Sequence, residues 1–167
     1  MPKLARLLDR DAMRAVLARS LPDGAALGEL AIGRVIYKPG ETVAVHYEGA
    51  VDGTRHDAVA TCIAGVDLAA RARMPRYRAL AQRPNGRSPA AATISYDDET
   101  GALVSSLPFD PRLPALAEDA PELSRRLGIA LPETLELIGY KPRSRAVLRG
   151  DGHVLKACGA IARSGRR

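Results

Sequence analysis

The chain has 167 residues, a formal net charge of +6 and a hydrophobic content of 46%, which suits one domain, or one domain with an appendage, around a packed core. No apolar run approaches the roughly 20 residues that a membrane-spanning helix requires, and the charged N-terminus does not have the pattern of a secretory signal. Cys62 and Cys158 are far apart, without metal-ligand spacing, so no disulfide framework or zinc site is predicted and a cytoplasmic location is expected.

The first half of the chain has the pattern of a helix, three strands and a second helix. Met13, Val16 and Leu17 recur at helical spacing, and Asp9 or Asp11 can cap that helix. Gly-containing turn signals then separate alternating apolar runs, which is typical of an antiparallel meander. The predicted elements are a helix over 9–20, strands over 27–38, 42–48 and 57–63, and a helix over 66–82 that Pro75 weakens, with a predicted split near Met74.

The second predicted helix is the most basic segment of the chain. Its arginines do not fall on one stripe, so a solvated helix face and an anion-binding role both remain open; they are Arg71, Arg73, Arg76, Arg78 and Arg83. The net positive charge of the whole chain has the same two interpretations, an anionic partner or a solvated surface.

The second half is predicted to continue with a loop, two strands, an interrupted helix and a hairpin. Asp97, Asp98 and Glu99 lie in the turn between the two strands and lack the further oxygen ligands of a calcium loop, so an exposed turn is expected. The ranges are loop 84–89, strands 91–96 and 102–107, and helix 113–127, with Gly128 as its stop. This order predicts an α+β fold, an antiparallel sheet with helices packed on one face.

Two strand-forming runs flank Gly150-Asp151-Gly152 and predict a hairpin that follows a basic loop containing Pro142. Lys156 lies in the second run. An earlier segment, Tyr37-Lys38-Pro39, has the same residue pattern as Tyr140-Lys141-Pro142, and each precedes a returning strand. A duplication and a convergence on common hairpin chemistry both explain this repeated pattern.

The run Tyr140-Lys141-Pro142-Arg143-Ser144-Arg145, followed by Ala146-Val147-Leu148-Arg149 and Asp151-Gly152-His153-Val154-Leu155-Lys156, resembles the start of the kinase N-lobe in aminoglycoside phosphotransferase-like small-molecule kinases. The run 102–116 resembles the cap region of family members that carry an N-terminal cap domain. The resemblance implies a cap-like domain over 1–130 and an N-lobe-like hairpin over 131–157. A disordered tail is expected over 158–167.

The resemblance also implies a nucleotide site. Residues Lys141, Arg143, Ser144 and Arg145 would form the loop over ATP, and Lys156 would be the lysine of the third strand that pairs with the phosphates. In an intact relative, ATP and Mg²⁺ would phosphorylate a small hydroxylated substrate. The family's His-x-Asp catalytic loop and metal-binding Asp have no counterpart in the sequence, so we expect a truncated kinase portion that is inactive by itself, with no catalytic residue.

Two other classes of function remain as alternatives. The sheet could serve as a non-catalytic interaction or dimerisation surface, in which case a homo-oligomer is expected. Alternatively, the positive charge could bind nucleic acid, but the sequence has no run of aromatic residues to stack on bases, so nucleic acid is the least favoured partner. Lys156 itself could be an edge-strand lysine that discourages sheet pairing. His46, His56 and His153 lie in no nucleophile or metal motif.

Overall fold

The computed structural model describes residues 2–21, 23–81 and 94–159 and contains two antiparallel sheets. The large sheet has the strand order β1-β2-β3-β5-β4, and the small sheet has the order β6-β7-β8. The helices are α1 (Pro2–Leu8), α2 (Arg10–Ala18), α3 (Leu68–Ala72), α4 (Pro75–Ala81) and α5 (Ala120–Leu127), with a 3₁₀ helix at Pro114–Ala117. The strands are β1 (Ala31–Lys38), β2 (Thr42–Val51), β3 (Thr54–Ile63), β4 (Ile94–Asp97), β5 (Ala102–Ser106), β6 (Glu136–Lys141), β7 (Arg145–Gly150) and β8 (His153–Cys158).

The predicted α+β class is confirmed, and helices lie on both faces of the large sheet. Alternate residues of a strand point to opposite faces. Accordingly Val104 of β5 packs in the cluster that contains Met13 and Leu17 of α2, whereas its neighbour Leu103 packs with Leu68 of α3 and Tyr77 of α4. We call the side that carries Leu103 the second face. The sequence predicted helices on one face only, because strand alternation does not tell which helix covers which side.

The helix predicted over 9–20 is α2, and its start agrees with the capping argument. The Asp9 carboxylate accepts hydrogen bonds from the backbone N–H groups of Asp11 and Ala12, both at 3.0 Å. A further helix, α1, precedes it and was not predicted. Its Leu7 is buried in the same core, and the Leu7 carbonyl accepts a hydrogen bond of 2.5 Å from the buried Tyr47 hydroxyl.

The other predicted elements are found with shifted ends. The 66–82 helix is two helices that meet before Pro75, as proline predicts. The first strand begins at Ala31 rather than Leu27, which makes only an isolated bridge to Val51. Strands β2 and β3 extend to the Asp52–Gly53 turn, further than predicted. The predicted loop 84–89 and residues 91–93 lie outside the described residues.

A connector joins the two sheets over residues 107–135. The predicted 113–127 helix is divided into the 3₁₀ helix and α5, and Asp119 caps α5 by accepting a 2.7 Å hydrogen bond from the Glu122 N–H. Gly128 ends α5 in the left-handed conformation (φ 69°), as predicted. Apolar side chains of the connector, including Leu116 and Leu123, pack against the inner face of the small sheet.

The small sheet has three strands where the sequence analysis predicted a two-stranded hairpin after a loop. Its inner face carries buried Ala146 and Leu148. Strand β8 extends through Cys158, which had been assigned to the tail, because Cys158 pairs with Arg145. Residues 160–167 of the predicted tail lie outside the described part of the chain.

The two Lys-Pro hairpins close in the same way. Lys38 pairs with Thr42 and Tyr37 with Val43; at the same positions of the second hairpin, Lys141 pairs with Arg145 and Tyr140 with Ala146. In both turns a backbone N–H donates a 3.1 Å hydrogen bond to the lysine carbonyl. Duplication and convergence on common hairpin chemistry both account for this identical closure. In the described residues, no helix is long and apolar enough to cross a membrane.

Candidate functional site

Lys156 lies on the exposed side of the small sheet. Along β8, Val154, Lys156 and Cys158 are exposed, whereas the residues between them are half-buried toward the connector. Lys156 pairs with Val147 of the central strand β7. We call this side, with the outward side chains of β6, β7 and β8, the outward face.

Three of the five predicted nucleotide-binding residues share this outward face. Lys141 is directly opposite Arg145, and Arg145 is directly opposite Cys158. Lys156 and Cys158 are two positions apart on β8, so Lys156 and Arg145 are diagonal neighbours, about 7–8 Å apart in such a sheet. The structure therefore brings two lysines and one arginine together on one surface.

The other two predicted residues lie in the turn. Ser144 is exposed, and its N–H donates a 3.1 Å hydrogen bond to the Lys141 carbonyl. Arg143 is half-buried in the left-handed conformation (φ 60°), and its side chain lines a cavity against the large sheet. Arg143 is thus separated from the face that carries Lys141, Arg145 and Lys156.

The outward face suits phosphate better than it suits a metal ion. Cations at adjacent positions on one sheet face repel each other, and a phosphate between them relieves that repulsion. The outward-pointing strand residue with a carboxylate is Glu136, which is in an ion pair of 2.8 Å with Arg149. The described strand residues of this face therefore do not supply the carboxylate set that Mg²⁺ requires.

A buried polar junction joins the turn 142–144 to the large sheet. Asp110 is 1% exposed. One of its carboxylate oxygens accepts hydrogen bonds from the Tyr140 hydroxyl (2.7 Å) and the Arg143 N–H (2.8 Å), and the other accepts one from the Arg112 N–H (2.8 Å). Burial raises the pKa of the Tyr140 hydroxyl, and the neighbouring Asp110 raises it further. Tyr140 therefore stays protonated and serves as a donor.

The same junction contains an incompletely paired histidine and aspartate. His46 and Asp57 are both buried, and the ring nitrogen Nε2 lies 3.8 Å from Oδ1, too far for a hydrogen bond. The His46 ring contacts Tyr140 edge to face at 5.2 Å. Burial lowers the pKa of His46, although Asp57 and Glu48 oppose that change. His46 is thus held neutral in the contact between the sheets.

Comparisons with protein-family models, curated proteins and solved structures find no match to this chain.

Sequence reasoning missed Asp110 and Arg112 as members of the buried polar junction. Asp110 lies within Pro108-Phe109-Asp110-Pro111, which the sequence analysis treats as an interruption between elements. Two of its hydrogen-bond partners, Tyr140 and Arg143, are 30 and 33 residues distant. Arg71 was considered for anion binding with its helix neighbours. In the structure Arg71 lines the cavity with Arg143, whereas Arg73, Arg76 and Arg78 are exposed. Arg83 lies outside the described residues.

Proposed function

We propose that the chain is the N-terminal portion of an aminoglycoside phosphotransferase-like kinase, in which the outward face of the small sheet binds the phosphates of ATP. The observation that carries this proposal is the common orientation of Lys141, Arg145 and Lys156. In kinases a loop between the first two strands covers the phosphates and a lysine of the third strand pairs with them. The small sheet has this order, with the turn 142–144 after its first strand and Lys156 on its third.

Binding and catalysis are separate parts of the proposal. A phosphate chain on this face would accept charge-assisted hydrogen bonds from the Lys156 ammonium and the Arg145 guanidinium, and the Ser144 hydroxyl could donate another. The strand residues of this face contribute one carboxylate, Glu136, which is paired with Arg149 and does not by itself form the carboxylate set that Mg²⁺ requires. We therefore assign phosphate binding to these residues, and assign transfer to a small hydroxylated substrate to the intact kinase.

The test is calorimetric titration of the 167-residue chain with ATP, with and without Mg²⁺. We expect saturable binding that Lys156→Ala weakens at least about tenfold, as expected for the loss of a charge-assisted contact. The matched control is Lys38→Ala, which removes the same charge from an exposed position at the twin hairpin of the large sheet.

Binding on this face should also weaken with salt, because exposed charges are screened. Equal affinity of the wild type and Lys156→Ala, or equal losses in Lys156→Ala and Lys38→Ala, would remove the support for a nucleotide site at Lys156.

A further inference from the structure

A small cavity of about 30 Å³ lies between the second face of the large sheet and the turn 142–144. Arg71 from α3, Arg112 from the connector and Arg143 from the turn line it, and Asp110 is the carboxylate among the lining residues. Guanidinium groups therefore outnumber carboxylates three to one in this lining. A lining with that excess of positive charge attracts an anion.

The sheet side of the cavity supplies hydroxyl groups. Thr61 of β3 and Ser105 of β5 line it, and each is 6% exposed. A hydroxyl can donate a hydrogen bond to an oxyanion without adding charge. Thr61 and Ser105 on one side and guanidinium groups on the other give the donor set of a phosphate site.

Arg143 occupies a turn position whose left-handed backbone conformation disfavours residues with a Cβ. The same turn position of the twin hairpin is Gly40, with φ 71°, and Arg143 has φ 60°. The left-handed conformation favours glycine and disfavours residues with a Cβ by about 1 kcal/mol or more. A glycine would therefore close this turn more easily than arginine does.

Arg143 lies in a half-buried, positively charged environment. Burial lowers the pKa of Arg143, and the nearby Arg112 and Arg71 lower it further, whereas Asp110 raises it. The Asp110 carboxylate also accepts hydrogen bonds from two backbone N–H groups and from Tyr140. An anion in the cavity would be attracted by the guanidinium groups of Arg71 and Arg143.

We propose that Arg71, Arg112 and Arg143 bind a phosphate group in the cavity between the large sheet and the turn 142–144. The enclosed volume is about that of one water molecule, so it admits phosphate oxygens and leaves the rest of the group at the mouth. Arg112 is the exposed member of the three arginines. This site is distinct from the outward face with Lys156, and the turn 142–144 connects the two.

The phosphate group that the site binds could be a free phosphate ion or the terminal group of a phosphomonoester. Inorganic phosphate and glucose 6-phosphate are the two probes, each titrated calorimetrically into the 167-residue chain at constant ionic strength. Tighter binding of inorganic phosphate identifies the free ion, and tighter binding of glucose 6-phosphate identifies an ester end. In either case the chain has an anion site, which the variants below assign to the cavity or to the outward face, and the absence of saturable binding by both probes overturns the cavity site.

Two variants and one control assign the binding to the cavity. Arg71→Gln and Arg143→Gly should each weaken phosphate binding at least about tenfold. Arg78→Gln removes the same charge from an exposed position on α4 outside the cavity and should leave the affinity within about twofold. Equal losses in Arg71→Gln and Arg78→Gln would overturn the site, because general charge would then explain the binding.

Arg143→Gly also separates binding from folding. The glycine suits the left-handed turn, so in phosphate-free buffer this variant should unfold at a temperature equal to or above that of the wild type, while phosphate no longer raises it. A variant that is destabilised without phosphate and still stabilised by it would contradict the role of Arg143.

The test of the cavity site can be distinguished from the test of nucleotide binding on the outward face. Lys156→Ala should keep the cavity affinity for inorganic phosphate, and Arg71→Gln should keep the affinity for ATP. If ATP fails to bind the wild type while Arg71→Gln still abolishes phosphate binding, the cavity site stands alone. If Lys156→Ala loses phosphate binding and Arg71→Gln retains it, the anion binds on the outward face, and the cavity site is overturned.

Discussion

The hydrogen bond from Tyr140 to Asp110 should contribute measurably to the attachment of the small sheet, beside the apolar contacts with the connector. The change Tyr140→Phe removes the hydroxyl that donates at 2.7 Å to a carboxylate that is 1% exposed. It retains the ring and its edge-to-face contact with His46 at 5.2 Å. The loss is therefore confined to one buried hydrogen bond with a charged acceptor.

A hydrogen bond to a charged group contributes about 1.5–3 kcal/mol. Because Asp110 keeps the backbone N–H groups of Arg112 and Arg143 as donors, we expect about 2 kcal/mol for Tyr140→Phe. For a chain of this length, that corresponds to a decrease in Tm of about 4–8 °C.

The assay is urea and thermal unfolding followed by far-ultraviolet circular dichroism, since the chain has no tryptophan. The matched control is Tyr37→Phe at the same position of the twin hairpin, where the side chain is 49% exposed. The control should change the free energy of unfolding by less than about 0.5 kcal/mol. Equal effects of the two substitutions would refute the importance of the Tyr140–Asp110 bond.

Three further perturbations have defined outcomes. Asp97 accepts two hydrogen bonds from Thr100 and one from Arg19. In denaturant melts, Asp97→Asn should therefore lower the free energy of unfolding by about 1–3 kcal/mol. The control Asp98→Asn, at an exposed position, should lower it by much less. Leu116→Ala should lower it by about 2–5 kcal/mol and half-exposed Leu127→Ala by under about 1 kcal/mol, with equal losses contradicting the connector core. Since burial lowers the pKa of His46, the unfolded chain binds this proton more readily, so stability should fall as pH decreases below 6.5. His46→Gln should flatten that dependence in melts at several pH values, and an unchanged slope would contradict it.

Local patterns were sufficient to predict most elements of the large sheet. Turn signals such as Pro39-Gly40 and Asp52-Gly53 mark the chain reversals, and alternation marks the strands between them. The split before Pro75 and the stop at Gly128 follow from the backbone chemistry of those residue types. Helix α1 was missed because seven residues give too short a pattern to establish a helical period.

The candidate site was only partly predictable, for a geometric reason. The shared face of Lys141, Arg145 and Lys156 follows from strand alternation once the register of the three strands is known. The position of Arg143 in a cavity depends on contacts with Asp110 and with α3, which are distant in sequence. Tertiary placement of this kind leaves no local pattern in a single sequence.

The most direct measurement of the central proposal is alkylation of Cys158 in the presence and absence of ATP. Cys158 is exposed on the outward face, two positions from Lys156 and directly opposite Arg145, while Cys62 is half-buried in the large sheet and serves as the internal reference. If phosphates bind this face, ATP should slow modification of Cys158 several-fold without changing that of Cys62, and Lys156→Ala should abolish the protection. Modification of Cys158 at the same rate with and without saturating ATP would contradict nucleotide binding on the outward face.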